Sequence, residues 1–257
     1  MQYHSIHIYS SYVVTKMATQ FTAAPQSVNS NADWSTSVLS PMTEKEEQNG
    51  HFTSQSRIEF YSSNAETYDE DMKKYSFSGP DVAAHTLHNL LKDNPNSRIL
   101  DVGCGTGKVA EVLLALGPYT NIDGLEAAPG MLALARAKQL YKNTMEKFLY
   151  LNCGLEHDTY DGVVSSGTFV AGHMKSDCLI ELCNILKPGG HLVITMRHEH
   201  LETVSEYKEN FRLTIENLVK EGKWKIIQDE TFPNWCFGDN GMGIDGHVFV
   251  FQKNLMS

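Results

Sequence analysis

A chain of 257 residues, 41% of them hydrophobic, is long enough to bury one sizeable core, and its net charge of −10 argues against broad binding along a nucleic-acid backbone, which relies on clustered Lys and Arg. Its five cysteines are odd in number and scattered without a C-x-x-C pair, which points to reduced thiols in an intracellular protein and away from a disulfide framework or a zinc site. No apolar run reaches the ~20 residues that cross a bilayer, and no basic segment followed by an apolar block opens the chain, so a cytoplasmic protein, with the nucleus as a second location and no membrane partner, is expected.

Residues 1–56 are rich in Ser, Thr, Asn and Gln without sustained periodicity and read as a disordered tail, which leaves residues 57–257 as the folded domain. From Ile58 to Asp69 the pattern predicts a helix and turn. Gly79-Pro80-Asp81 opens an amphipathic helix with Val82, Leu87, Leu90 and Leu91 as its buried stripe. A strand from Arg98 to Val102 and a helix from Val109 to Leu116 follow, the helix stopped by Gly117-Pro118. The second strand is Thr120 to Glu126, and the next helix runs from Gly130 to Lys142 with Pro129 near its start. Phe148 to Leu151 reads as a short third strand and Tyr160 to Ser166 as a buried fourth.

Ser176 is suited to cap a helix from Asp177 to Leu186 that stops at Lys187-Pro188-Gly189-Gly190, before a fifth strand from His191 to Met196. A long helix from Glu202 to Glu221 precedes two last strands, Trp224 to Gln228 and Gly246 to Lys253. This alternation predicts an α/β fold: a doubly wound, mostly parallel seven-stranded sheet with a C-terminal antiparallel hairpin.

The densest chemistry lies in Asp101-Val102-Gly103-Cys104-Gly105-Thr106-Gly107, a strand-end carboxylate followed by a glycine loop and a helix start. Glycines let the backbone approach a nucleotide-like ligand, and the helix N-terminus offers unpaired N–H groups. A dinucleotide loop needs a third glycine where Lys108 stands, and a phosphate-gripping loop needs four residues between its glycines. Asp101, Gly103, Cys104, Gly105 and Gly107 lie beyond the carboxyl end of the first strand, where such a sheet receives its ligand. Glu126, about 20 residues beyond the loop, suits two ribose hydroxyls, and Asp123 is its rival three residues earlier.

In order, D-V-G-C-G-T-G, G-L-E-A-A-P-G-M-L, Y-D-G-V-V-S-S-G and L-K-P-G-G resemble the motifs of class I S-adenosylmethionine-dependent methyltransferases, with their Rossmann-like fold. The flanks, Tyr68-Asp69-Glu70-Asp71-Met72, Gly172-His173, Tyr207-Lys208-Glu209 and Gly222-Lys223-Trp224, are similar to a narrower group, the methyltransferase-like proteins of the Williams–Beuren region and their invertebrate relatives. The resemblance implies S-adenosylmethionine on the glycine loop, with Glu126 on its ribose. It implies an adenine contact around Asn152 and Cys153, although an aspartate is usual there. It also implies that Tyr61 and Tyr68 close over the cofactor.

Methyl transfer needs positioning and desolvation more than acid–base help. Ser166, Gly167, Thr168 and His173 follow strand four beside cofactor and acceptor, with Ser166 counted among the cofactor residues and His173 as the candidate general base. His198-Glu199-His200 has metal-ligand residues, but neighbours point apart, so a solvated loop without a metal is expected, with Arg197 available to an acidic substrate group. The expected acceptor is a small molecule or a protein side chain. Two other readings are an S-adenosylmethionine-binding protein without catalysis and an NAD-dependent oxidoreductase; the latter lacks a Tyr-x-x-x-Lys pair after strand four.

Overall fold

The computed structural model describes residues 54–255; the tail expected over residues 1–56 lies outside them except for its last three residues, which open a helix. Helices α1 (Ser54–Ser63), α2 (Ala65–Lys74) and α3 (Gly79–Leu91) precede the sheet. The alternating body then runs β1 (Ile99–Val102), α4 (Lys108–Leu116), β2 (Ile122–Glu126), α5 (Pro129–Ala137), β3 (Asn143–Glu146), β4 (Tyr160–Ser166), α6 (Cys178–Ile185) and β5 (Leu186–Arg197). A short α7 (His200–Thr203), the longer α8 (Ser205–Lys220), β6 (Trp224–Phe237) and β7 (Gly243–Lys253) complete it.

The seven strands lie in the order β3-β2-β1-β4-β5-β7-β6, with β1 to β5 parallel and β7 antiparallel to both β5 and β6. The chain winds outward from β1 to β3 and restarts at β4 on the other side of β1. That reversal opens a crevice beyond the carboxyl ends of β1 and β4, where an open sheet receives its ligand.

Burial follows from side-chain period. In α8 the buried residues are Tyr207, Phe211, Ile215 and Leu218, one stripe of a 3.6-residue helix. This stripe meets Leu192, Ile194 and Met196 on one face of β5. On the opposite face Val193 packs with Val82 and Ala83 of α3, Val109 of α4, and Trp235 and Cys236 of β6. Residues Ile99 to Val102 are all buried, so Asp101 is a carboxylate set into an apolar strand.

Several elements differ from the expected ones. The third strand is Asn143–Glu146, not the apolar stretch at 148–151, because an edge strand pairing only with β2 needs little apolar surface. The helix expected to reach Lys142 ends at Ala137, and Gln139 (φ 56°) turns the chain away. The long helix is divided into α7 and α8 at Val204. Lys187 to Gly190 belong to β5, over a register shift between Tyr160 and Gly162. β6 continues from Trp224 to Phe237 through Pro233 and Asn234, which sit in a bulge between Phe232 and Cys236 on the sheet's edge strand, the place that tolerates proline. Ser176 does not cap α6; its amide donates to Glu206 Oε1 at 2.7 Å instead.

Candidate functional site

The glycine loop leaves β1 and turns back over β2, with the amides of Gly103 and Cys104 donating to Leu125 O at 2.7 and 3.0 Å. A Cβ at Gly103 would stand 2.3 Å from Thr168 Cγ2, so glycine is what lets the β4 loop close on it. Gly105 has φ +54° and open space where a Cβ would project, so this backbone faces a ligand volume. Gly107, which precedes α4, permits packing, since a Cβ there would meet Leu140 Cδ1 at 2.7 Å.

Glu126 ends β2, and both its oxygens are held by backbone amides: Gly105 N–H donates to Oε2 at 2.9 Å and Ala128 N–H to Oε1 at 2.8 Å. Burial nevertheless raises its pKa, while the amides at Ala128 and Gly105 work in the other direction. Each oxygen keeps a further lone pair for a hydroxyl in the cavity it lines. Asp123 is committed elsewhere, accepting from Arg98 Nε at 3.2 Å and Asn143 Nδ2 at 2.7 Å.

Asp101 is 1% exposed beneath the loop, where Tyr141 OH donates to its Oδ2 at 2.7 Å. Burial lifts its pKa to about 7; the Tyr141 bond opposes the rise and Glu126 adds to it. Tyr141, just past the truncated α5, is a contributor that sequence reasoning missed. Its position opposite Asp101 depends on the turn at Gln139 and has no local signal.

Two hollows meet at the loop. The inner one lies between the β2 tip and α1, and its walls include Glu126, Met131, Phe148, Leu149, Tyr61 and His173. The outer cleft lies between the loop and helices α2 and α3; Cys104 lines it, and its walls carry charges of both signs, Lys73 and Lys108 with Asp69 and Asp81. Tyr68, Gly103, Gly105 and Ser166 line both hollows. Burial pushes the Cys104 thiol well above its ordinary range, which makes it a packing group and no nucleophile.

The adenine contact expected at Asn152 and Cys153 is not where the structure puts the cavity wall. With β3 ending at Glu146, the residues leaving its tip are Lys147, Phe148 and Leu149, and these line the cavity. Asn152 N–H donates to Glu181 Oε2 at 3.0 Å, and Cys153 Sγ lies 3.4 Å from Glu181 Oε1, so both are anchored to α6.

His173 is brought to the cavity, with both ring nitrogens in hydrogen-bond contact. Its Nδ1 lies 3.1 Å from Ala171 O, an acceptor, and 3.4 Å from Arg57 Nη1, a donor, while Nε2 lies 3.1 Å from Tyr61 OH. Burial, followed by the nearby Arg57 guanidinium, lowers its pKa to about 4. The expected solvated loop at 198–200 is also corrected. His200 is fully buried under the β4 loop with Nδ1 3.4 Å from Phe169 O, and His198 Nδ1 lies 3.1 Å from His247 Nδ1.

This architecture is shared with known proteins. A family model described as a methyltransferase domain matches residues 100–194. Human methyltransferase-like protein 27 is 32% identical over 175 residues, which cover 66% of this chain and 68% of that protein. The malonyl-[acyl-carrier protein] O-methyltransferase of Bacillus anthracis is 32% identical over 146 residues, 57% of this chain and 51% of that enzyme. Among solved structures, the complex between the Haloferax volcanii Trm112 methyltransferase activator and its candidate methyltransferase matches with a TM-score of 0.52 and 16% identity, over 74% of this chain and 95% of that one. The chain belongs to the class I S-adenosylmethionine-dependent methyltransferases, and S-adenosyl-L-methionine is its cofactor. Within that class it is a homologue of methyltransferase-like protein 27.

The residues present suit that cofactor. The open backbone at Gly105, the amide-held carboxylate of Glu126 and the apolar walls at Met131 and Phe148 match a glycine-loop contact, a ribose diol and a purine ring. No helix among the described residues is long and apolar enough to cross a membrane.

Proposed function

We propose that this chain moves the methyl group of S-adenosyl-L-methionine to a small-molecule or protein acceptor by in-line displacement, with no side-chain base at the tip of β4. The observation that carries this reading is Glu126, held by the amides of Gly105 and Ala128 at the floor of a cavity walled by apolar side chains. The cofactor supplies an activated methyl on a sulfonium, so the leaving group comes ready-made.

The protein's contribution is binding and exclusion of water. Glu126 takes the ribose hydroxyls, and the amides of the loop from Gly103 to Gly107 follow the amino-acid end. Asp101, beneath that loop, supplies negative potential for the ammonium. Phe148 and Leu149, and not Asn152 and Cys153, flank the purine. Tyr61 and Tyr68, with ring centroids 6.3 Å apart, close the cavity, and His173 braces Tyr61 through its hydroxyl. Ser166 borders both hollows and so lies where methyl donor and acceptor meet.

Curated relatives named malonyl-[acyl-carrier protein] O-methyltransferases transfer to an oxygen of a malonyl group, as their name states, which supports an oxygen acceptor here too. The buried, unpaired state of Cys104, Cys153, Cys178, Cys183 and Cys236 supports work in a reducing compartment such as the cytoplasm or nucleus. The test is turnover: purified protein with methyl-labelled cofactor and fractionated cell metabolites should release S-adenosylhomocysteine in step with labelled product. Tight cofactor binding with no labelled product from small-molecule or protein fractions would favour a binding protein without catalysis.

A further inference from the structure

Helix α3 opens Gly79-Pro80-Asp81 after the N-cap Ser78, so Asp81 takes the position from which an acid ordinarily reaches back to the N-cap amide. Here that amide is already spent: Ser78 N–H donates to Trp235 O at 2.8 Å. The Ser78 hydroxyl caps nothing either, donating to Asn234 O at 2.8 Å. Asp81 is thus released from its usual task. Among the described residues, the hydrogen bond its carboxylate receives comes from its own backbone amide alone, and the half-buried side chain lines the outer cleft.

That cleft holds about 660 Å³, room for a small molecule. Gly103, Gly105 and Ser166 line both it and the inner hollow, so what it admits meets the cofactor at the β4 tip. Two contacts hold the start of α3 against that tip. The Thr195 hydroxyl donates to Gly79 O at 3.2 Å and lies 3.0 Å from Ser166 Oγ. Phe77 packs on the β4 exit, since a Cβ at Gly167 would stand 3.2 Å from its Cζ. Phe77, Met72 and Pro80 give the cleft an apolar wall beside Asp81.

The charges facing Asp81 are Lys108 and Glu111 of α4 and His85 one turn further along α3, while α2 supplies Asp69 and Lys73 across the cleft. Asp69 is bonded to Thr106 Oγ1 and Lys138, and Glu111 pairs with Lys138 and Lys108. Asp81 is therefore the cleft carboxylate with no cation or hydroxyl bonded to it. Burial raises its pKa above the usual carboxylate range, against the pull of Lys108 and His85, and so makes it a stronger base.

We propose that the acceptor is a phenol seated in the outer cleft, methylated on its oxygen, and that Asp81 is the catalytic base that takes its proton. The proposal rests on the methyl-transfer reading above. A phenol hydroxyl, with a pKa of about 10 as in tyrosine, is within reach of carboxylate assistance. The apolar wall takes its ring. A carboxylate acceptor would be repelled by Asp81, and an amine attacks through a lone pair and needs no base in the step. A lone pair on the phenol oxygen forms the new C–O bond as the S–C bond breaks, and that bond's electron pair stays on sulfur. The O–H proton passes to a carboxylate oxygen of Asp81 and leaves to water afterwards. The negative charge of Asp81 and the positive charge of the sulfonium vanish together, and the product is a neutral aryl methyl ether.

The experiment uses the full chain with methyl-labelled S-adenosylmethionine and a panel of substituted phenols, with matched carboxylic acids and amines as controls. Label should appear in the phenols, in a product that survives alkali as an ether does and an ester does not. At saturating cofactor, which keeps Asp101 and its effect on binding out of the measurement, kcat for the best phenol should rise with pH along one acid limb and level off. Asp81→Asn should lower the plateau about 100-fold and erase that limb, with cofactor affinity and melting temperature unchanged. Asp81→Glu should restore part of both kcat and the limb. Label confined to acids or to amines, or no transfer to any phenol while the cofactor binds, would overturn the proposal. So would weaker cofactor binding in Asp81→Asn, which would put this carboxylate on the cofactor, or a lowered kcat that keeps its acid limb, which would make Asp81 structural. Failure of the cofactor to bind the wild-type chain would instead sink the methyltransferase reading beneath it.

Discussion

Glu126 and Gly105 lie on different strand ends, 21 positions apart, and are joined by a 2.9 Å bond from the glycine amide to the carboxylate. One carboxylate thus shapes the loop that takes one end of the cofactor and offers its free lone pairs to another. Glu126→Ala should weaken cofactor binding by about 1.5–3 kcal/mol through loss of charge-assisted bonds. Calorimetric titration checks this, and an unchanged dissociation constant would remove Glu126 from the ribose.

Gly105 tests the loop in isolation. A Cβ there meets nothing within 4 Å, so Gly105→Val should leave the core intact and project its side chain into ligand space. The left-handed φ of +54° adds strain of about 1–2 kcal/mol. Cofactor binding should vanish while the circular dichroism spectrum is retained; retained affinity would show that the ligand does not cross this loop.

Asp101 makes binding depend on pH. Its folded pKa is raised to about 7 from 3.8, so between those values the folded chain holds a proton the unfolded chain has lost, and in this window rising pH lowers the stability of the free protein through this group. A cationic ligand favours the ionised form. Cofactor affinity should therefore climb as pH rises through about 7, then fall above about 8 as the ligand's amino group loses its proton. Asp101→Asn should abolish the acid limb. Titration at several pH values decides it, and a flat wild-type profile would separate Asp101 from the ligand.

Tyr61 and His173 should act as one unit. Tyr61→Phe and His173→Ala each remove the bond between hydroxyl and Nε2, so each should weaken cofactor binding severalfold, and the double variant little further. The kcat–pH profile should show no limb that His173→Ala erases. Additive losses would mean the two residues serve separately, and a vanishing limb would restore His173 as a base.

Four histidines set the acid limit of the fold. Burial is the first cause that holds His173, His191, His200 and His247 at about 4, below the 6.5 of a free imidazole. Between these values the unfolded chain binds protons the folded one refuses, so stability falls as pH drops from 6.5 toward 4 by roughly 1.4 kcal/mol per pH unit for each histidine. Asp101 contributes the opposite slope across this range, and Glu126 and Asp81, also raised by burial, join it toward the acid end. Denaturant melts from pH 7 downward should show a loss larger than one proton can explain. A flat line would mean these imidazoles are wetter than their packing indicates.

What could be read from the sequence follows from the range of the forces involved. The loop from Asp101 to Gly107 and the carboxylate Glu126 are local patterns at strand ends, and the structure brings them together at the carboxyl edge. The apolar stretch at 148–151 misled because apolar runs also line cavities: Phe148 and Leu149 face the ligand volume, while β3 proper is half-exposed. The strand expected from Trp224 stops at Gln228, short of Phe237, because Pro233 and the charged Asp229-Glu230 resemble a loop unless the strand is known to lie at the sheet edge. Tyr141, Arg57 and the buried state of His200 depend on contacts between distant segments and leave no local trace.

The most direct measurement is parallel calorimetric titration of the wild-type chain and Glu126→Ala with S-adenosylmethionine, S-adenosylhomocysteine and NAD. Wild-type protein should bind both sulfur ligands and not NAD, with both affinities falling together in the variant. Binding of NAD alone, or sulfur-ligand affinities indifferent to Glu126, would contradict the site built here from the glycine loop and the β2 tip.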